Sequence, residues 1–149
     1  MPIISKPDLC RLIPHQGDMC LLDTVEEWDE TSIICKASSH HYATNPLRRH
    51  NQLEAICGLE YAAQAMAVHV GLLQRGKERT MAVGYLGGVK NLALWAGRLD
   101  DVKGDLTVQA TRLVGEAGSF MYAFRVSGGR QELLDGRASI FLKSLDHQS

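Results

Sequence analysis

The sequence predicts an α+β fold, one domain over residues 1–149, in which a curved antiparallel sheet wraps a long central helix. Three observations lead there. Asn51 to Gln74 (NQLEAICGLEYAAQAMAVHVGLLQ) is a long Pro-free run of competent helix formers. It is apolar on nearly every face, which marks a helix buried nearly all round. The segments on either side carry strand-like alternation, and those after the helix follow one another through short turns. Short turns exclude the crossovers of a parallel sheet and leave an α+β arrangement. One sheet around one helix leaves a face and an edge that need cover, so a dimer is predicted as the smallest stable unit.

The elements follow in order. Ser5-Lys6-Pro7-Asp8 reads as a helix start, with Ser5 as the cap and Pro14 ending the helix at about Ile13. Met19 to Trp28 and Thr31 to Ser39 read as two strands paired across Asp29-Glu30, although that dipeptide is not favoured hairpin chemistry. His40 to His50 (HHYATNPLRRH) is polar, contains Asn-Pro and reads as a loop into the helix. Small residues on several helix faces, Gly58, Ala62 and Ala65 among them, predict a closely applied sheet. Gly76 to Arg79 is a polar break. Met81 to Leu94 is a strand interrupted by Gly84, Gly87 and Gly88, where bulges or close backbone contacts are expected. Leu106 to Val114, Phe120 to Val126 and Gly136 to Leu142 complete the sheet, with Ser127-Gly128-Gly129 as a hairpin signal.

Composition narrows the function classes. A net charge of −1 and a pI near 6.6 provide no basic field, which argues against nucleic-acid binding. No charge-free apolar run has the ~18 residues of a membrane span. The amino terminus lacks the apolar core of a secretory signal, so a cytoplasmic protein is expected. Cys10, Cys20, Cys35 and Cys57 show no metal-ligand spacing; they read as free thiols in a reducing compartment, and no metal is expected.

The anomaly is Glu60, an acid in the middle of an apolar helix, where an unpartnered carboxylate is expensive. Around it the residues form a pattern. LIPHQGDMCLLDTV (Leu12 to Val25) resembles the opening of the β-hydroxyacyl-acyl-carrier-protein dehydratases, and Glu60-Tyr61-Ala62-Ala63-Gln64 resembles their E-A-x-A-Q helix segment. NPLRR followed by GLEYAAQAMAVH is similar to the small dehydratase-like proteins of aryl polyene gene clusters. The resemblance implies the hotdog fold and an acyl carrier protein as substrate donor. It implies no cofactor beyond the carrier's phosphopantetheine. In the typical family motif a His stands fourteen residues before the Glu; here that position is Pro46, or Asn45 with a one-residue slip, and the following Pro-Gly pair is absent. The acid of the motif therefore carries over and its base does not.

Dehydration of a 3-hydroxyacyl thioester needs a base for the C2 proton, an acid for the departing hydroxyl and donors for the thioester oxygen. Glu60, with a pKa raised by its apolar helix, is the expected acid. Backbone N–H groups near Cys57 and Gly58 are expected to hold the carbonyl, and Gln64, one turn on, to orient Glu60. His15, in the Pro14-His15-Gln16-Gly17 turn, and His40 or His41, opening the loop to the helix, are the candidate bases, with Asn45 at the motif's His position. His50 reads as solvated, and His69, about half a turn away from Glu60, points the opposite way. Arg48 and Arg49 are candidate contacts for an acidic carrier protein. Trp28 and Trp95 read as core or interface aromatics. Three functions fit: a carrier-linked dehydratase, a hotdog thioesterase, or a non-catalytic subunit of a heteromeric dehydratase. The missing base predicts a homodimer or a mixed pair with a second hotdog chain that supplies the imidazole.

Overall fold

The computed structural model describes residues 3–13, 19–74, 82–116 and 119–144. A short helix α1 (Lys6–Cys10) precedes strands β1 (Thr24–Trp28) and β2 (Ser32–Ala37). Helix α2 (Gly58–Gln74) follows, and then β3 (Ala82–Leu94), β4 (Leu106–Glu116), β5 (Ser119–Gly128) and β6 (Gln131–Ser144). All pairings are antiparallel in one six-stranded sheet of order β1-β2-β4-β5-β6-β3. The predicted α+β architecture is therefore present, with α2 against the inner face.

The β1–β2 hairpin forms in spite of its Asp-Glu link because the Asp29 side chain supplies the missing turn chemistry. Its Oδ1 accepts the N–H of Thr31 at 2.8 Å and of Ser32 at 2.9 Å. These bonds hold the Asp29 carboxyl below its usual pKa. The β5–β6 hairpin turns on Gly129 and Arg130, both at positive φ, as a two-residue loop of this hand requires. The register of β3 on β6 slips between Leu86 and Gly88 and again between Lys90 and Ala93, so a bulge does accompany Gly87. A Cβ at Gly87 would lie 2.0 Å from the Phe141 ring, which explains the glycine sterically.

Helix α2 begins later than the sequence predicts. His50 and Asn51 both have positive φ (51° and 63°) and form a two-residue turn closed by paired Arg49–Gln52 backbone bonds of 2.8 and 2.9 Å. Residues 52–54 then run extended beside 97–100: the Leu53 N–H donates to Asp100 Oδ1 at 2.9 Å and the Leu99 N–H to Leu53 O at 2.7 Å. Helical winding starts as a 3-10 turn, Ala55–Cys57, and becomes α at Gly58. Nor is the helix buried all round. Tyr61, Ala62, Ala65, Met66, Val68 and His69 are buried, whereas Ile56 and Glu60 are exposed and Ala63 and Ala67 half-buried. That stripe of Ile56, Glu60, Ala63 and Ala67, at helical spacing, is the face the sheet leaves bare.

Two further expectations change. The first strand is shorter than Met19 to Trp28 and starts at Thr24; Met19 and Leu21 are instead bonded through their backbone to Gln64 of α2. And the cysteines are not all free, because Cys10 and Cys20 form a disulfide, leaving Cys35 and Cys57 as thiols. Burial pushes the Cys35 thiol up to about 12. Among the described residues, Ala55–Gln74 is the one helix long and apolar enough to cross a membrane by length and composition, and here it serves as the core helix of the sheet.

Candidate active site

Glu60 lies in the first turn of α2, one turn after Ile56, and makes no hydrogen bond or ion pair among the described residues. The stripe it stands on is open, and the charges of Glu54 and Arg49 lie, like its own, near the Cys57 thiol. Ile56 is 43 % exposed, Leu94 48 % and Trp95 61 %. The chain brings them into one neighbourhood through the bond from the Ala55 N–H to Gly97 O, 3.0 Å long. Trp95 is anchored by its Nε1–H to Asp135 at 2.8 Å while its ring stays in solvent. An acid exposed on a helix stripe that the sheet leaves bare, with no bonded partner among the described residues, is an incomplete site.

Behind Glu60 the helix is held by a chain of buried hydroxyls and an amide. Asn45 Nδ2 donates to Ser39 O at 2.9 Å and to Tyr61 Oη at 3.0 Å. Tyr61 Oη and Ser39 Oγ lie 2.7 Å apart, and Ser39 Oγ donates to Leu21 O at 2.8 Å. Since Ser39 gives its proton to a carbonyl, the phenol must donate to Ser39. Burial accordingly keeps the Tyr61 phenol above its usual pKa. Asn45 Oδ1 accepts the Leu47 N–H at 2.8 Å, so every donor and acceptor of its amide has a partner. Asn45, expected as a stand-in for the base, is thus a brace for the 39–47 loop.

Gln64 is similarly committed. Its Oε1 accepts the Leu21 N–H at 2.9 Å and its Nε2 donates to Met19 O at 2.6 Å. It clamps the amino-terminal segment onto α2 and makes no bond to Glu60. The backbone donors expected at Cys57 and Gly58 are also taken: the Cys57 N–H donates to Glu54 O at 3.0 Å, and the Gly58 N–H to Ala55 O and Ile56 O. Gly58 serves packing instead, since a Cβ there would lie 2.4 Å from Leu134 Cδ2. The Cys57 thiol is pushed up by burial and then by the Glu54 charge, so it stays protonated.

None of the described histidines is bonded to the acid. His40 is fully buried; its Nε2–H donates to Gly104 O at 2.9 Å, which leaves Nδ1 as a lone pair with no partner. Burial, then the neighbouring His41, holds its pKa below the ordinary value. His41 donates through Nε2 to Val102 O at 2.7 Å and stacks on His40 with centroids 3.8 Å apart. His69 is buried between Asp29 O, to which Nε2–H donates at 2.7 Å, and Tyr122 Oη, whose proton Nδ1 accepts at 2.6 Å. His50 is exposed in the left-handed turn. His15 lies outside the described residues. Arg48, expected at a carrier surface, faces inward: Nη2 donates to His40 O at 3.0 Å and Nη1 to Asn51 O at 3.3 Å. Arg49 is the exposed member of the pair.

The profile of the ApeP-like family, described as ApeP dehydratase, matches residues 7–149. The chain belongs to the ApeP-like dehydratase family. Among solved structures this ApeP-like chain is similar to the dehydratase heterocomplex ApeI:P from Xenorhabdus doucetiae. The TM-score is 0.81 at 18 % identity, covering 92 % of this chain and 91 % of that one. It is also similar to a thioesterase from Haemophilus influenzae, with TM-score 0.62, 10 % identity and coverage of 85 % and 81 %. The E. coli PaaI protein of the phenylacetic acid degradation operon gives TM-score 0.57 and 12 % identity, covering 78 % and 80 %. At these identities the likenesses show the hotdog fold. A comparison with curated proteins gave no match.

Two functional features escape a reading of the sequence alone. Tyr61 was an unremarked neighbour of Glu60, although a buried phenol always needs a partner and so signals a network. Asp100, which accepts the Leu53 N–H and forms a close ion pair with Arg98, is the brace of the helix entrance. Those bonds hold its carboxyl well below the usual carboxylate range.

Proposed function

We propose that this chain is the acid-bearing subunit of a two-chain hotdog dehydratase that converts carrier-linked 3-hydroxyacyl thioesters into 2-enoyl thioesters during aryl polyene-type synthesis. The observation that carries the reading is Glu60 exposed on the stripe of α2 that the sheet leaves bare, while every described histidine is buried, turned to a backbone carbonyl or solvated. A second hotdog chain laid on the Ile56–Glu60–Ala63–Ala67 stripe and along the open edge of β3 would cover that patch. The ApeI:P heterocomplex, a dehydratase by its description, lends support to such a pairing. In the proposed reaction an imidazole of the partner removes the C2 proton. Glu60 gives its proton to the 3-hydroxyl, which leaves as water, and the C2–C3 double bond forms. Covering the carboxyl with apolar surface favours the proton-bearing form this role requires. Each acid–base contribution is worth about 10²–10⁴ in rate.

The test is an assay of the purified chain, alone and with a second hotdog subunit from the same gene neighbourhood, on a 3-hydroxyacyl carrier-protein thioester. Weak turnover alone and water loss with the thioester intact in the mixture are expected. Release of free thiol would instead favour the thioesterase reading. Full dehydratase turnover by the chain alone, abolished by changing His15, His40 or His41, would overturn the mixed-pair assignment.

A further inference from the structure

The disulfide lies outside the chemistry of Glu60, and its setting is unusual. Cys10 is the last residue of α1, and Cys20 lies between Met19 and Leu21, the two residues that Gln64 clamps. Both ends are held by contacts that do not involve sulfur. Lys6 Nζ donates to Cys20 O at 3.0 Å and to Leu22 O at 2.6 Å, and Gln64 grips Met19 and Leu21. On the other side Leu9 is fully buried, and Leu12 lies against Gly71 of α2, its Cβ 3.3 Å from where a Cβ at Gly71 would be. The Cα atoms of the two cysteines are 5.9 Å apart. Opening the bond therefore leaves the two sulfurs neighbours, at high effective concentration for closing again.

We propose that Cys10 and Cys20 form an exchangeable redox pair, entered through Cys10, whose oxidised form staples the amino-terminal segment to α2. Cys10 is half-buried whereas Cys20 is 3 % exposed, so an external sulfur reaches the pair at Cys10. With a glutathione-type disulfide as oxidant, the Cys10 thiolate attacks one external sulfur and displaces one thiolate. The Cys20 thiolate then attacks Cys10 Sγ and displaces the second. Two protein thiols are oxidised, one external disulfide is reduced, and the protons of the cysteines end on the two thiols released. In reduction an external thiolate attacks Cys10 Sγ and the Cys20 thiolate departs and takes up a proton; a second external thiolate then attacks the external sulfur of the mixed disulfide and frees Cys10. Cys35, buried in β2, and Cys57, in the 3-10 turn before α2, are free thiols and take no part.

The experiment uses the full chain equilibrated across glutathione redox ratios, then denatured and alkylated for mass spectrometry, with melting curves on the same samples. At oxidising ratios two cysteines should take up label, and at reducing ratios all four. Reduction should lower Tm by about 5–10 °C, as removal of a short-loop cross-link does in a chain of this size. Cys10→Ser should melt like the reduced protein and ignore the glutathione ratio; should it not fold, the wild-type curves decide alone. Four labelled cysteines at every ratio, two at every ratio, or a Tm indifferent to redox state would each overturn the proposal.

Discussion

Glu60 and Tyr61 are adjacent in the chain and opposite in circumstance. The first makes no hydrogen bond or ion pair among the described residues, so Glu60→Gln should leave the unfolding free energy within about 0.5 kcal/mol of wild type. It should lower dehydratase turnover in the mixed complex by about 10²–10⁴; unaltered turnover on every acyl thioester tested would remove the acid assignment. Tyr61 is the reverse. Tyr61→Phe deprives Asn45 of an acceptor and Ser39 of a donor inside the core, and should cost about 1–3 kcal/mol in urea unfolding. Glu60 stands out in the sequence because a carboxyl in an apolar helix is conspicuous, and the fold leaves it exposed. Asn45, Gln64 and Arg48 were misread as site residues because the partners that claim them, at Ser39, Met19, Leu21 and the backbone near 40 and 51, are fixed only by the folded chain.

At the scale of elements, α2 and the hairpin that leads to it carry the acid sensitivity. His69 joins α2 to Asp29 of the β1–β2 turn and to Tyr122 of β5, with Arg112 and the Asp29 carboxyl as the nearby charges. Burial holds both His40 and His69 below the ordinary value, so the fold prefers them neutral. A depressed folded pKa gives stability that is complete above the unfolded value of about 6.5 and is lost as pH falls below it. The urea midpoint should therefore drop between pH 7.5 and pH 5.5; a constant midpoint over that interval would refute the account. His69→Gln should flatten the slope in part. The elements themselves were largely readable, the Gly87 bulge included, but the place of β3 was not: no short turn joins it to β4, and it pairs with β6 at the sheet edge. The start of α2 was not, because residues 51–57 satisfy every local test of a helix. What diverts them is the left-handed pair His50–Asn51 and the pairing of 53–55 with 97–99, neither of which periodicity records. The disulfide escaped for a related reason: a spacing of ten residues matches no motif, and only the folded amino-terminal segment brings the sulfurs together.

For the whole molecule, the sheet ends on the edge of β3, and the stripe of Ile56 and Glu60 on α2 together with Leu86, Leu94 and Trp95 stays exposed. If a second subunit covers them, Leu94→Lys should shift sedimentation from the assembled species towards a slower one without lowering helix content, and a wild-type monomer at micromolar concentration would count against assembly. The strand order has a consequence in time as well. β3 (Ala82–Leu94) finds its one neighbour in β6 (Gln131–Ser144), the last strand of the chain. During synthesis the hairpin β1–β2 and helix α2 can settle early, whereas β3 leaves the ribosome with nothing to pair with. It waits while nearly fifty more residues are made, about 3–10 s at ordinary elongation rates. For that interval an apolar strand has both edges open, and whatever first meets it, the chain's own carboxyl terminus or another nascent chain, decides between a finished sheet and an aggregate.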